Sequence, residues 1–128
     1  EGVTFDAGEL SGMRHLVMFA DPECAACATL VPDVLDEVRE RRFPAVVLVS
    51  RGELGTHPAT WRGAARARLV SERGTEVSDA FGVDVTPTVF VIDEGGAVVA
   101  RSPVQTVGEV AALVAEGEGM RIVGAAGG

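Results

Sequence analysis

Two short apolar runs of β type, Leu16-Val17-Met18-Phe19 and Ala45-Val46-Val47-Leu48-Val49, stand on either side of a segment with a helical period. In that segment Leu30, Val34, Leu35 and Val38 recur every three or four positions, while Asp33, Asp36, Glu37, Arg39 and Glu40 fill the opposite side. This pattern predicts an amphipathic helix from Cys24 to about Arg41. Asp21-Pro22 closes the first strand, and Phe43-Pro44 precedes the second. A buried strand, a helix and a second buried strand in succession imply parallel pairing through a right-handed crossover, which makes the chain α/β. Pro32 lies within the helical stretch, where it removes one backbone donor and crowds the preceding turn, so it predicts a kink rather than a break.

The remaining chain extends the same architecture. Arg51–Thr60 reads as a loop, Trp61–Arg68 as a helix, Leu69-Val70 as a short strand, and Glu76–Phe81 as a short helix closed by Gly82. Thr88–Ile92 and Ala97–Ala100 flank Asp93-Glu94-Gly95-Gly96, a turn whose glycines permit positive φ, so this stretch predicts a β-hairpin. Thr106 and Glu109 form a capping box ahead of Val110, Leu113 and Val114, which predicts a last helix. At 128 residues, with neither an internal repeat nor a linker, the expectation is one domain over residues 1–116 and a flexible Gly/Ala-rich tail over 117–128.

A formal net charge of -8 disfavours nucleic acid and anionic lipid surfaces, both of which recruit Lys and Arg. The longest apolar run, Ala45–Val49, falls far short of the roughly 20 residues of a membrane-spanning helix, so the chain is not expected to be membrane-inserted.

Cys24-Ala25-Ala26-Cys27 falls where the first strand meets the first helix. Unpaired N–H groups at a helix N-terminus favour thiolate over thiol by about 1 kcal/mol, which makes Cys24 the expected nucleophile. Cys27, one turn further along the same side, is positioned to resolve a mixed disulfide. Two other readings exist for such a pair. A structural staple over so small a loop adds only about 2 kcal/mol in the chain-entropy model. A tetrahedral zinc site wants four ligands, and beyond the cysteines only His15 and His57 are present, without paired spacing. Redox chemistry fits the placement best. Trp61 beside Ala64 and Ala65 reads as core packing, and His15 as a satisfied residue rather than a ligand.

A second feature is Val85-Thr86-Pro87-Thr88-Val89, in which a proline directly precedes an apolar strand. By itself Pro87 reads as a strand-initiating proline. Taken together, the strand, the Cys pair at the head of a proline-containing helix, the second strand and Thr-Pro-Thr before a hairpin resemble the thioredoxin superfamily over about Val3 to Ala115. Leu30-Val31-Pro32-Asp33-Val34-Leu35-Asp36-Glu37-Val38 is similar to the corresponding thioredoxin helix, including a proline eight residues after the first Cys. The Cys24-to-Pro87 separation is most similar to membrane-tethered, extracytoplasmic thioredoxin-like reductases of the cytochrome c maturation and methylamine dehydrogenase accessory type.

The resemblance implies a central mixed β-sheet flanked by helices on both faces. It also implies a cis Pro87 packed on the Cys pair, with the Thr86 backbone pairing to an extended substrate. No bound cofactor is implied. The partners would be protein dithiol or disulfide substrates and a redox donor protein, met by a monomer outside the cytoplasm that a segment beyond this sequence could tether. Several positions depart from the family pattern. Glu23 replaces a tryptophan, Ala25-Ala26 replaces Gly-Pro, and Met18 stands where thioredoxins bury an acid that helps deprotonate the second Cys. Glu23 or Asp21 is then the candidate acid/base. Carboxylates beside Cys24, with no His or Lys between the cysteines, predict a reductant with a potential near thioredoxin's ~-270 mV. The competing readings are a peroxide-reducing protein, a copper-delivery protein of the same fold, and a non-catalytic binding module.

Overall fold

A computed structural model describes residues 12–52, 57–61 and 66–127, with side chains described as far as 118. The first apolar run forms β1 (His15–Ala20), the amphipathic segment α1 (Ala25–Arg39), and the second run β2 (Ala45–Arg51). A single 3-10 turn at Ala59–Trp61 leads towards β3 (Ala67–Glu72), followed by α2 (Glu76–Phe81), β4 (Thr88–Ile92), β5 (Val98–Pro103) and α3 (Val107–Gly127). The five strands make one sheet in the order β3-β2-β1-β4-β5. β1, β2 and β3 run parallel, and β4 and β5 join antiparallel, so the sheet is mixed.

Alternation along the central strands sorts the core into two layers. Leu16, Met18 and Ala20 of β1, with Val46 and Leu48 of β2, pack against Leu30, Val31, Val34 and Val38 of α1 and Val110, Leu113 and Val114 of α3. Val17, Phe19, Val47 and Val49 face the other way, against Val77 and Phe81 of α2. There the rings of Phe19, Phe81 and Phe90 meet at centroid distances of 5.0 to 5.8 Å. Helices therefore cover both faces, as an α/β sheet buried on two sides requires.

Pro32 sits inside a single unbroken α1. Gly82 ends α2 in the left-handed conformation, with φ 70°, and Asp93 Oδ1 closes the β4–β5 turn by accepting the N–H groups of Gly95 and Ala97, each at 2.9 Å. Thr106 Oγ1 caps α3 through the Glu109 N–H at 3.1 Å, and Glu109 reaches back to the Gln105 N–H at 2.6 Å.

One expectation needs correction. The helix expected over Trp61–Arg68 does not exist at either described end. Trp61 closes the 3-10 turn, Arg66 has a left-handed φ of 63°, and Ala67 already belongs to β3; residues 62–65 lie outside the described residues. The Arg66 guanidinium binds the carbonyls of Val38 (2.7 Å) and Phe43 (3.2 Å), and its own carbonyl accepts the Val46 N–H, so pairing with β2 overrides local helix propensity. At the C-terminal end α3 runs through Gly127. Gly117 is buried where the helix crosses the sheet closely: a Cβ there would lie 2.9 Å from Val91 Cγ1 and 3.2 Å from Val99 Cγ2.

Candidate active site

Register brings the site together. In the antiparallel β1–β4 pair Phe19 lies opposite Thr88, so the residues that follow β1 adjoin those that precede β4. Asp21-Pro22-Glu23-Cys24 thus meets Val85-Thr86-Pro87. Each side is held by short-range bonds. Asp21 Oδ1 accepts the Glu23 N–H at 2.9 Å and the Asp21 carbonyl accepts the Cys24 N–H at 3.0 Å, which turns the chain from strand into helix. Across from it, Thr88 Oγ1 donates to the Val85 carbonyl at 2.8 Å and the Val104 N–H donates to the Pro87 carbonyl at 3.0 Å. The Thr86–Pro87 peptide bond is cis.

Cys24 is the N-cap of α1, with extended backbone (φ -89°, ψ 123°), and no acidic residue occupies the first helical turn. Its Sγ accepts the Cys27 N–H at 3.4 Å and lies 3.7 Å from the Thr86 carbonyl. Both cysteines are free thiols, Cys24 half-buried and Cys27 with no exposure. Burial raises the Cys24 pKa, but hydrogen bonds from the Cys27 thiol and backbone N–H, and from the Thr86 side chain, outweigh it and hold the thiol below its ordinary value. For Cys27 burial acts in the same sense as the hydrogen bond to Cys24 and the Cys24 charge, and its pKa is pushed up to about 12. The pair therefore holds one thiol that ionises more readily than usual beside one kept protonated.

Met18 is 1% exposed in the same core layer as Cys27 and offers no proton acceptor. Glu23 is exposed, and it is not among the groups that shift Cys27 most, which are Cys24, Thr86 and the Asp21 backbone. His15 is buried, with Nδ1 3.0 Å from the Met13 carbonyl. His57 is also buried, with Nε2 3.0 Å from the Arg51 carbonyl and its ring 6.0 Å from that of Trp61, itself a core residue at 2% exposure. Among the described residues no three His, Cys, Asp or Glu side chains converge as metal ligands.

Sequence reasoning missed three features around the site. Val85, beside Thr86, is an apolar side chain 51% exposed. Asp84, next to it, is exposed. A groove of about 450 Å³ opens beside Cys24, bordered by Asp21, Pro22 and Glu23 on one side and by Arg51, Gly52 and Pro58 on the other. The Pro58 and Gly52 punctuation was visible in the sequence, but nothing local indicated that the β2 terminus would face the Cys24 turn.

The thioredoxin-like domain family model matches residues 5–116, and the chain belongs to that family. No curated protein matches it in sequence. Among solved structures it is similar to a secreted Mycobacterium tuberculosis disulfide oxidoreductase homologous to E. coli DsbE, at 13% identity and a TM-score of 0.70 over 87% of each chain. It is also similar to a thioredoxin-family thiol:disulfide interchange protein from Chlorobium tepidum, at 22% identity and a TM-score of 0.65 over 87% of this chain and 83% of that one. A third is the exposed lipoprotein thioredoxin Etrx1 of Streptococcus pneumoniae, at 16% identity and a TM-score of 0.62 over 84% of this chain and 90% of that one. At these identities the likeness is one of fold. No described helix is long and apolar enough to cross a membrane.

Proposed function

We propose that the chain is a thiol-disulfide oxidoreductase that reduces disulfides in other proteins, with Cys24 as nucleophile and Cys27 as resolving thiol. The observation that carries this reading is the asymmetry of the pair: a half-buried sulfur at a helix N-cap with its pKa lowered, and a fully buried one raised to about 12. A staple would not need that difference, and an inert binding module would gain nothing from it. Cys24 thiolate attacks one sulfur of the substrate disulfide, forming the Cys24–substrate bond as the substrate S–S bond breaks and its other sulfur leaves as thiolate. Cys27 then loses its proton and attacks Cys24, releasing the second substrate thiolate. The substrate gains two electrons and the pair becomes a disulfide, to be re-reduced by a redox donor protein.

Thr86 and Pro87 are assigned the substrate backbone, an assignment supported for Thr86 by the 3.7 Å approach of its carbonyl to Cys24 Sγ. Glu23, exposed beside Cys24, is at most a proton relay through water. The protein acts as a monomer outside the cytoplasm, a location supported by the words "secreted" and "exposed lipoprotein" attached to two of its structural relatives.

Insulin reduction in the presence of dithiothreitol tests the activity, and Cys27→Ser should accumulate covalent adducts with disulfide-bearing proteins. No acceleration of insulin precipitation and no adduct would refute the reading. A redox titration against glutathione should give a potential nearer ~-270 mV than ~-120 mV, and a value above about -180 mV would make the protein an oxidant instead.

A further inference from the structure

The reactive sulfur lies between two short segments, partly exposed, that both carry carboxylates. On the helix side, Asp21 and Glu23 flank Pro22 immediately before Cys24 and border the adjoining groove. Opposite them, Asp84 is exposed two residues before Thr86, whose carbonyl is 3.7 Å from Cys24 Sγ. Arg51, on the far border of the groove, is the cation that faces Asp21 and Glu23 there. On the Asp84 side lies Arg101, its guanidinium donating to the Phe81 and Gly82 carbonyls at 3.4 and 3.5 Å. Among the described residues three carboxylates against two guanidiniums leave the approach to Cys24 negative on a chain whose formal net charge is -8. Between Asp84 and Thr86 the exposed side chain is Val85, which adds apolar contact but no compensating charge.

We propose that Asp21, Glu23 and Asp84 select the partner at Cys24, favouring disulfides carried on cationic segments and disfavouring anionic ones. This rests on the oxidoreductase reading above. The physical basis is the field around the sulfur. A disulfide must bring a sulfur into contact with Cys24, so charges within a few ångströms of its own sulfurs come within a Debye length of all three carboxylates. That length is about 10 Å at 0.1 M salt. Fields of this kind change association rates by about tenfold or more, and salt removes the effect. The tripeptide disulfide of glutathione, carrying excess carboxylates, belongs to the disfavoured class. A protein disulfide flanked by Lys or Arg belongs to the favoured one.

Three small disulfides separate charge from chemistry: cystamine (cationic), bis(2-hydroxyethyl) disulfide (neutral) and glutathione disulfide (anionic). The reduced full chain is mixed with each, quenched with acid and followed by mass, and each rate is divided by that of free dithiothreitol with the same disulfide, which removes differences in leaving group. At about 10 mM salt, where the Debye length is about 30 Å, the normalised cystamine rate should exceed the glutathione disulfide rate about tenfold. At about 1 M salt the ratio should fall below about twofold. Asp21→Asn/Glu23→Gln/Asp84→Asn should shrink the low-salt ratio, and the same triple variant with Glu23→Lys in place of Glu23→Gln should shrink it further. Because the readout is a ratio, any change in thiol ionisation caused by the variants cancels. A ratio near one at low salt, or one that neither salt nor the variants move, overturns the proposal. Failure of all three disulfides to react overturns the oxidoreductase reading itself.

Discussion

The Cys24 sulfur occupies the place of an N-cap oxygen on α1, accepting the Cys27 N–H at 3.4 Å. One contact therefore serves both the fold and the chemistry: it satisfies a backbone donor that the helix leaves unpaired, and it stabilises negative charge on the sulfur. Sulfur is the weaker acceptor. Cys24→Ser should leave the folded protein as stable as the reduced wild type or a few tenths of a kcal/mol more so, whereas Cys24→Ala should lose about 1 kcal/mol. Urea denaturation of the reduced proteins measures both, and equal stability of the Ser and Ala variants would show that the cap contributes nothing.

The same contacts set a pH dependence. The lowered pKa of Cys24 means that alkylation by iodoacetamide should rise with pH and level off at a midpoint below the ordinary 9.0. Cys27, raised to about 12, should stay unmodified through this range. Mass spectrometry of the reduced protein should thus show a single adduct at pH 8. Since the Cys27 thiol donates to Cys24, Cys27→Ala should move the midpoint upward, while Cys27→Ser, which keeps a donor, should hold it lower. For stability the two shifts have opposite signs. The depressed Cys24 pKa contributes stability present above its unfolded value and lost as pH falls through the folded one. The raised Cys27 pKa contributes stability present below pH 9 and lost as pH climbs towards 12.

The sheet centre, α1, the hairpin and the Cys pair were all legible because each is written in local pattern: unbroken apolar runs at Leu16–Phe19 and Ala45–Val49, a helical period from Leu30 to Val38, and glycines at a turn. What escaped depends on partners distant in sequence. Arg66 leaves helical geometry because its backbone pairs with Val46 and its side chain binds Val38 and Phe43. Gly117 looks like the start of a loose tail by composition, yet its lack of a side chain lets α3 approach β4 and β5. The groove beside Cys24 needs β2 and the Cys24 turn to end at the same edge of the sheet, which no local pattern records.

Glu72 is the sharpest example of a nonlocal device. Only 1% exposed, it accepts the N–H groups of Val77 at 2.6 Å and Ser78 at 2.8 Å and the Ser78 hydroxyl at 2.5 Å. It supplies the cap that Thr75, bonded instead to Asp79, does not give α2. Glu72→Ala would leave these donors buried and unpaired, and should cost about 3 kcal/mol. Glu72→Gln keeps one carbonyl oxygen for the N–H groups and should cost about half as much. Because α2 leads through Gly82 into the Thr86–Pro87 segment, the Ala variant should also slow insulin reduction under conditions where the protein remains folded. A Glu72→Ala protein with wild-type stability would show that the cap is dispensable.

Gly117→Ala opposes two effects of known size. In an exposed helix interior the change should stabilise by roughly 1 kcal/mol, since glycine costs about that much relative to alanine. At this site the new methyl would lie 2.9 Å from Val91 Cγ1 and 3.2 Å from Val99 Cγ2, in a packed layer where Val91 pairs with Ala100 and Val99 packs on the same core. Overpacking of this kind costs about 1–3 kcal/mol. The balance should therefore be destabilising by about 1 kcal/mol, measured as a lower urea midpoint with unchanged m-value. Gly108, near the start of α3 and without such crowding (the nearest atom to its added Cβ would be Thr106 Oγ1 at 3.8 Å), provides the comparison, where alanine should be neutral or stabilising. If Gly117→Ala raised stability as Gly108→Ala does, the helix would not be docked on the sheet at that point, and the domain would end before it.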